Sequence, residues 1–113
     1  MNRFEYRVYD SVYEQMISGK KTIEFRLLND KAKRINIGDE IRFVVLNNDS
    51  KDIIVEVINK YIYDNIEDLW ISKEIINNSL DYDKEAFINE FYNIFGKENV
   101  TNSKIVGLEF KIK

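Results

Sequence analysis

Alternation of apolar and polar residues, the pattern of a half-buried β-strand, recurs along most of this 113-residue chain. It predicts five strands, over residues 4–9, 20–26, 40–46, 52–63 and 104–113. The turn-forming residues 47–50 should let the third and fourth strands pair as a hairpin. Because an unpaired strand edge invites aggregation, we expect the last strand to pair with an earlier one. The strands would then form a small, mostly antiparallel and partly open barrel.

Helix signals between the strands give the element order β-α-β-β-β-α-α-β, an α+β fold with three helices in one domain over residues 1–113. Ser11 and Glu14 match a capping box that would begin the first helix. Gly19 stands where the left-handed C-terminal cap of that helix would fall. Residues 29–37 are expected to form an irregular connection with at most one short helical turn.

The other two predicted helices lie between the fourth and fifth strands. Asn65 can cap the first of them, and Asp83 can cap a longer helix over residues 84–95 that Gly96 closes. The longer helix has an apolar stripe at helical spacing, which we expect to lie in the core: Phe87, Ile88, Phe91, Ile94 and Phe95.

The chain contains neither cysteine nor histidine. This excludes disulfides, a thiol nucleophile and a structural zinc site, and it removes the commonest general base. No acidic cluster suggests a carboxylate-bound ion, so neither a metal nor another cofactor is expected. No apolar run approaches the ~20 residues that span a bilayer, and the first residues lack a signal peptide's apolar segment. We therefore expect a cytoplasmic protein with no membrane partner.

Charge is unevenly distributed along the sequence. The net charge is −3, yet residues 20–34 carry a local charge of +4, which leaves −7 on the rest. An acidic protein of this kind is unsuited to binding nucleic acid through phosphate contacts alone. A local basic patch fits a site for one anionic or phosphate-bearing ligand, and it would equally fit a solvated loop.

The second predicted strand and the residues before it carry the candidate site. Alternation would place a hydroxyl, a carboxylate and a guanidinium on one face, from Thr22, Glu24 and Arg26. Lys20 and Lys21 would stand at the mouth of this polar face. The opposite face would be apolar, with Ile23, Phe25 and Leu27. Such an array can bind a polar ligand, and it also fits a structural ribbon of ion pairs.

The chain resembles the ASCH domain family in G-K-K-T-I-E-F-R at 19–26, G-D-E-I-R-F at 38–43, a late aromatic helix and I-V-G-L-E-F at 105–110. ASCH domains belong to the PUA-like superfamily, so the resemblance implies a small PUA-like β-barrel with flanking helices. It also implies a cleft beside the barrel that binds RNA, a nucleotide or a modified nucleoside. The family's cleft-lining Lys, Glu and Arg carry over to Lys21, Glu24 and Arg26 of this chain, with Thr22 beside them.

One branch of the family consists of amidohydrolases that remove the acyl group from N4-acetylcytidine. Its motif resembles K-T-I-T-I-R, and its members use a Lys, a Thr and a distal Glu. In this chain Glu24 stands where that branch has its second Thr, so the nucleophile is absent from the expected place. Three residues lie in the right region for the distal carboxylate: Glu67, Asp68 and Glu74.

Three functions are therefore open at this point. The first is binding of RNA, a nucleotide or a modified nucleoside in a cleft lined by Lys21, Glu24 and Arg26. The second is a small amidohydrolase-like or nuclease activity in which Lys21 and Glu24 share proton transfer and water is the nucleophile. The third is a protein-interaction domain without a ligand cleft. The oligomeric state is not predicted by the sequence.

Overall fold

The computed structural model describes residues 1–72 and 83–113, and its sheet contains the five predicted strands. They are β1 (Arg3–Val8), β2 (Ile23–Leu27), β3 (Glu40–Val45), β4 (Asn48–Tyr63) and β5 (Ile105–Ile112). The fourth strand begins earlier than predicted because the turn before it is shorter. Asn47 makes that short turn with a φ of 65°, in the left-handed region that asparagine tolerates better than most residues.

The strands follow the spatial order β1-β3-β4-β5-β2. β1 and β3 run parallel, and the other three pairs are antiparallel. As predicted, β3 and β4 form a hairpin, and β5 pairs with the earlier strands β4 and β2. β1 and β2 are left as the two edges of a half-barrel. The expected partly open, mostly antiparallel barrel is thus confirmed.

Five helices occur in the described ranges, where the sequence predicted three: α1 (Asp10–Ile17), α2 (Asp30–Arg34), α3 (Ile66–Trp70), α4 (Lys84–Phe95) and α5 (Lys97–Thr101). The caps of α3 and α4 are confirmed, because the side chains of Asn65 and Asp83 each accept a backbone N–H hydrogen bond. The additional helices α2 and α5 have five residues each. The side chain of Asn29 begins α2 by accepting from the N–H of Ala32 at 2.9 Å.

The capping box at the start of α1 is the one helix signal that proved wrong. The helix begins at Asp10 after Tyr9, and no side chain caps it. Glu14 instead accepts a hydrogen bond from Nζ of Lys51 at 3.0 Å, so the partner in β4 replaces the local one. The predicted C-terminal cap is confirmed, since Gly19 has a φ of 83°, where a side chain would be strained.

The sheet buries apolar side chains on both faces. An inner core within the half-barrel includes Phe43 and Leu108. An outer core between the sheet and α3 to α5 includes Phe25 and Leu69. Because β2 contributes Phe25 to the outer core, its opposite face holds the carboxylate of Glu24. Across the described ranges, no helix is long and apolar enough to cross a membrane.

Candidate functional site

A cleft of about 290 Å³ opens along the seam between the two edge strands. The end of β1, the start and middle of α1, and β2 form its polar side. The exposed face of α4 forms the other side, which is mostly apolar. The cleft is therefore built where the barrel does not close, and its walls come from segments far apart in the sequence.

Lys21, Glu24 and Arg26 form a continuous chain of charges in the cleft wall. Oε1 of Glu24 lies 3.4 Å from Nζ of Lys21. Oε2 of Glu24 lies 3.0 Å from Nη2 of Arg26 and 3.3 Å from its Nε. Lys21 and Glu24 are only 7% and 6% exposed. Two cations thus share one buried carboxylate, and the array has a net charge of +1.

Glu24 is ionised in this setting. Burial would raise the pKa of its carboxyl, but the positive charges and hydrogen bonds of Lys21 and Arg26 together outweigh burial. The pKa of Glu24 is consequently lowered from its ordinary value. A carboxylate held in this way serves as a hydrogen-bond acceptor, for example of an exocyclic amino group, because each oxygen can accept more than one hydrogen bond.

Local structure explains how Lys21 reaches the cleft. After Gly19 turns the chain, the backbone N–H of Lys21 donates to the carbonyl of Gln15 at 3.1 Å. This bond ties the residue to the end of α1, and Nζ then lies 5.4 Å from the ring centroid of Phe25. Gly107 of β5 lies opposite Phe25, and a β-carbon there would approach Cε1 of that ring to 3.1 Å. The glycine thus leaves room for the ring that underlies the site.

The apolar wall comes from α4. Phe87, Phe91 and Phe95 stand one turn apart, with successive ring centroids at 5.6 and 4.9 Å. All three rings, with Ile94, line the cleft. The prediction that this stripe lies in the core is wrong for Ile94, since that residue is 45% exposed. The stripe serves two surfaces, because Phe91 is buried in the outer core while it also faces the cleft.

The remaining predicted site residues lie elsewhere. Lys20 and Thr22 are exposed and do not line the cleft. Of the three candidates for a distal carboxylate, Glu67 and Asp68 are exposed on α3 away from the cleft wall, and Glu74 lies outside the described residues. The additional carboxylate that does line the cleft is Glu90 of α4. Among residues 1–72 and 83–113, no three His, Cys, Asp or Glu side chains are grouped so that they could hold a metal ion.

Tyr6 of β1, which contacts Arg26, is another residue that the sequence did not single out. Its ring stacks on Phe43, with centroids 6.3 Å apart. The guanidinium carbon of Arg26 lies 4.4 Å from the Tyr6 centroid, and Nζ of Lys31 lies 4.0 Å from it. Tyr6 lies on the buried face of β1, and its contact with Arg26 depends on how the two edge strands meet.

Arg26 also joins the two edges of the sheet. Its Nη2 donates to the backbone carbonyl of Arg7 at 2.9 Å while it holds Glu24. The side chain of Arg7 is turned outward, where it pairs with Asp49 and Glu5. Arg26 is therefore both part of the cleft wall and a bridge across the seam.

Solved structures with this fold were found at low sequence identity. The hypothetical protein PH0355 gives a TM-score of 0.82 at 20% identity, over 98% of this chain and 99% of that one. Protein PF0455 from Pyrococcus furiosus gives 0.75 at 21% identity, over 97% and 96%. The ASCH domain from Lactobacillus crispatus gives 0.64 at 17% identity, over 97% and 79%. No protein-family model matches the chain, and neither does any curated protein.

Proposed function

We propose that this chain, which has the fold of an ASCH domain, binds a nucleoside or nucleotide unit in the seam cleft, either free or as part of RNA. The resemblance at 19–26 and the fold both favour this class of ligand. The observation that carries the proposal is the array of the buried Lys21 and Glu24 with the half-buried Arg26, which faces an apolar, aromatic wall. A location in the cytoplasm, expected from the sequence, belongs to the same proposal.

Burial of the array argues for a ligand. Removing charged groups from water is costly, and apolar residues of similar size commonly stabilise a fold as well or better. A domain that needed only a closed seam would gain little stability from two cations around one carboxylate, because Lys21 and Glu24 are only 7% and 6% exposed. An arrangement of donors and an acceptor set in an apolar cleft is typical of a site that orients a small ligand.

The two walls suit the two parts of a nucleoside. A base can pack on the aromatic wall of α4, and base–aromatic stacking contributes about 1–3 kcal/mol. The polar edge of that base would meet the opposite wall, where the Lys21 ammonium offers a donor and the Glu24 carboxylate an acceptor. Adding one or two charge-assisted hydrogen bonds gives dissociation constants of roughly micromolar to millimolar for a single nucleoside.

The test is an NMR titration of labelled protein with the four common nucleosides, their monophosphates and short single-stranded RNAs. We expect saturable shifts centred on Lys21, Glu24, Arg26 and the α4 wall. Lys21→Met should abolish them, whereas the matched change Lys20→Met, at an exposed neighbour outside the cleft, should leave affinity within about twofold. Equal losses in both variants, or no shifts with any compound, would refute the proposal.

Hydrolysis of the same ligand is a second candidate, favoured by the 3.4 Å separation of Lys21 and Glu24 in a chain without His or Cys. The ionised Glu24 would act as the base that takes a proton from an attacking water. Product peaks during the titration would support this activity. It requires that Glu24→Gln abolish turnover while the variant stays folded; turnover that survives in both Glu24→Gln and Lys21→Ala would exclude these roles.

A further inference from the structure

The hydroxyl of Tyr6 is buried without a partner. The side chain is 6% exposed, and its oxygen makes no hydrogen bond with residues 1–72 or 83–113. Burial, the largest influence, raises the pKa of Tyr6, so the phenol stays protonated and keeps a hydrogen to donate. An unsatisfied buried hydroxyl destabilises a fold, and a purely structural ring at this position would serve equally well as phenylalanine.

Tyr6 lines a second cavity of about 290 Å³. This cavity adjoins the cleft, because Arg26 and Phe95 line both. Leu27 of β2 also lines it, together with three polar residues: Asn29 just before α2, Asn99 on α5 and Ser103 before β5. The cleft thus continues past Arg26 into a space of different chemical character.

The second cavity is rich in unused donors. Arg26 engages its neighbours through Nε and Nη2, while Nη1 has no acceptor among the described residues. The side chain of Asn29 accepts one bond through Oδ1, and within those same ranges its amide donates to nothing. The hydroxyl of Ser103 also forms no hydrogen bond with another described residue. Asn99 differs, since its amide donates to the carbonyl of Phe95 at 2.9 Å.

We propose that this second cavity is an oxyanion subsite, which holds the phosphate group of a nucleotide whose base lies in the seam cleft. The inference rests on the proposed function and specifies its ligand as phosphorylated. Oxyanions carry acceptors only, so they match donors from Arg26, Asn29, Ser103 and Tyr6. The positive charges of Arg26 and Lys31, both over the Tyr6 ring, favour an anion there.

The covered hydroxyl of Tyr6 would become accessible when the ligand arrives. The cationic groups of Arg26 and Lys31 lie above the ring, where Glu24 and the Arg7 carbonyl hold Arg26 and the Glu5 carbonyl accepts from Lys31. A phosphate that draws Nη1 of Arg26 toward itself would shift that guanidinium away from the phenol. The hydroxyl then gains the acceptor that it lacks in the free protein, and its burial cost is recovered as ligand affinity.

Tyr6→Phe should therefore have opposite effects on stability and on binding. The free variant should unfold about 3–6 °C higher than the parent, because the unsatisfied hydroxyl is gone. Its affinity for a nucleoside monophosphate should fall about five- to tenfold, since one ligand hydrogen bond is lost. Affinity for the unphosphorylated nucleoside should not change.

Tyr61→Phe is the matched control. The Tyr61 hydroxyl bonds to Oε1 of Glu109 at 2.9 Å, and Tyr61 lines neither cavity. Its removal should lower the unfolding temperature and leave both affinities unchanged. A structural role for Tyr6 would make the two variants behave alike, with a lower unfolding temperature and no effect that depends on phosphate.

The experiment compares nucleosides, their 3′- and 5′-monophosphates, dinucleotides and inorganic phosphate on the parent and both variants, by calorimetry and by NMR of the Asn29 and Asn99 side-chain amides. We expect monophosphates to bind at least tenfold tighter than nucleosides, with a gain that Tyr6→Phe largely removes. Preference for dinucleotides over monophosphates would identify an RNA phosphodiester as the source. Nucleoside binding to which phosphate adds nothing would overturn the subsite and leave the proposed function intact. Shifts at Asn29 with inorganic phosphate, without any nucleoside response at Lys21, would support the subsite and refute the proposed function.

Discussion

Replacing Glu24 with glutamine is the sharpest test of the charged array. The change keeps the size of the side chain but leaves Lys21 and Arg26 without their shared counter-ion. The new amide also turns a donor toward a cation where an acceptor was required. Because Lys21 is only 7% exposed, its charge cannot be rehydrated without opening the cleft wall.

The geometry sets the size of the effect. At 3.4 Å and 3.0 Å, each contact of Glu24 corresponds to roughly 5 kcal/mol of Coulomb attraction at an effective dielectric of about 20. Desolvation of the three groups offsets most of that attraction, so the measurable quantity is the cost of leaving buried charge unpaired. Breaking a buried ion pair on one side costs about 3–5 kcal/mol, a large part of the roughly 5–15 kcal/mol that stabilises a small domain.

Urea unfolding, followed by far-UV circular dichroism and Trp70 fluorescence, measures the free energy of each variant. Glu24→Gln should lower it by about 3–5 kcal/mol with an unchanged m-value. Lys21→Met should cost only about 1–2 kcal/mol, because Glu24 keeps its two hydrogen bonds from Arg26. The triple variant Lys21→Met/Glu24→Leu/Arg26→Met removes the whole array and should lie within about 1 kcal/mol of the parent while it loses ligand binding.

Two results would refute this reasoning. A Glu24→Gln variant within about 0.5 kcal/mol of the parent would mean that water reaches the array and that its charges are not buried. A triple variant less stable than Glu24→Gln alone would mean that the array holds the seam together. In that case the charges of the array would need no ligand to explain them.

Three further perturbations follow from the same geometry. The lowered pKa of Glu24 means that folding favours its carboxylate form. The contribution of Glu24 to the free energy of unfolding is therefore complete above the ordinary pKa of 4.5 and is lost as the pH falls below it. Between pH 7 and pH 3, the urea midpoint should drop less in Glu24→Gln than in the parent. Nζ of Lys60 donates to three carbonyls around the end of α2, at 2.6–3.3 Å. Lys60→Met should therefore lower the free energy of unfolding by about 1–3 kcal/mol and speed amide hydrogen exchange in α2. Unchanged exchange in α2 would contradict this expectation. Gly107→Ala would place a β-carbon 3.1 Å from the Phe25 ring. This crowding should lower the free energy of unfolding by about 1–3 kcal/mol and weaken ligand binding. A variant as stable as the parent would show that the ring can move aside.

The strands and most caps could be predicted because they depend on residues close in sequence. Alternation over a few residues was enough to place Glu24 and Phe25 on opposite faces of β2. Asn65 and Asp83 cap their helices through N–H groups three residues ahead, so the signal and its outcome lie together. The short helix α5 was not predicted, because five residues hold too little periodicity to be read, and α2 was expected only as a short helical turn within residues 29–37.

The errors arose wherever a distant partner competes with a local one. Glu14 has the right spacing for a capping box, but Lys51, brought beside it by the sheet, takes its carboxylate. Lys20 and Lys21 are indistinguishable in sequence. Only the backbone bond from Lys21 to Gln15 decides which of them enters the cleft. No short window of sequence contains these contacts, because they follow from the strand order.

The strand order also explains why the site is at the seam. The parallel pairing of β1 with β3 and the insertion of β5 beside β2 leave the two earliest strands as edges that face each other. Had backbone bonds closed this gap, no cleft would remain; instead Arg26 spans it with one bond to the Arg7 carbonyl. The same guanidinium holds Glu24 and covers Tyr6, so its position links both cavities. A ligand that recruits Arg26 must therefore alter the seam, and hydrogen exchange at the end of β1 should respond to phosphate-bearing ligands more than to nucleosides.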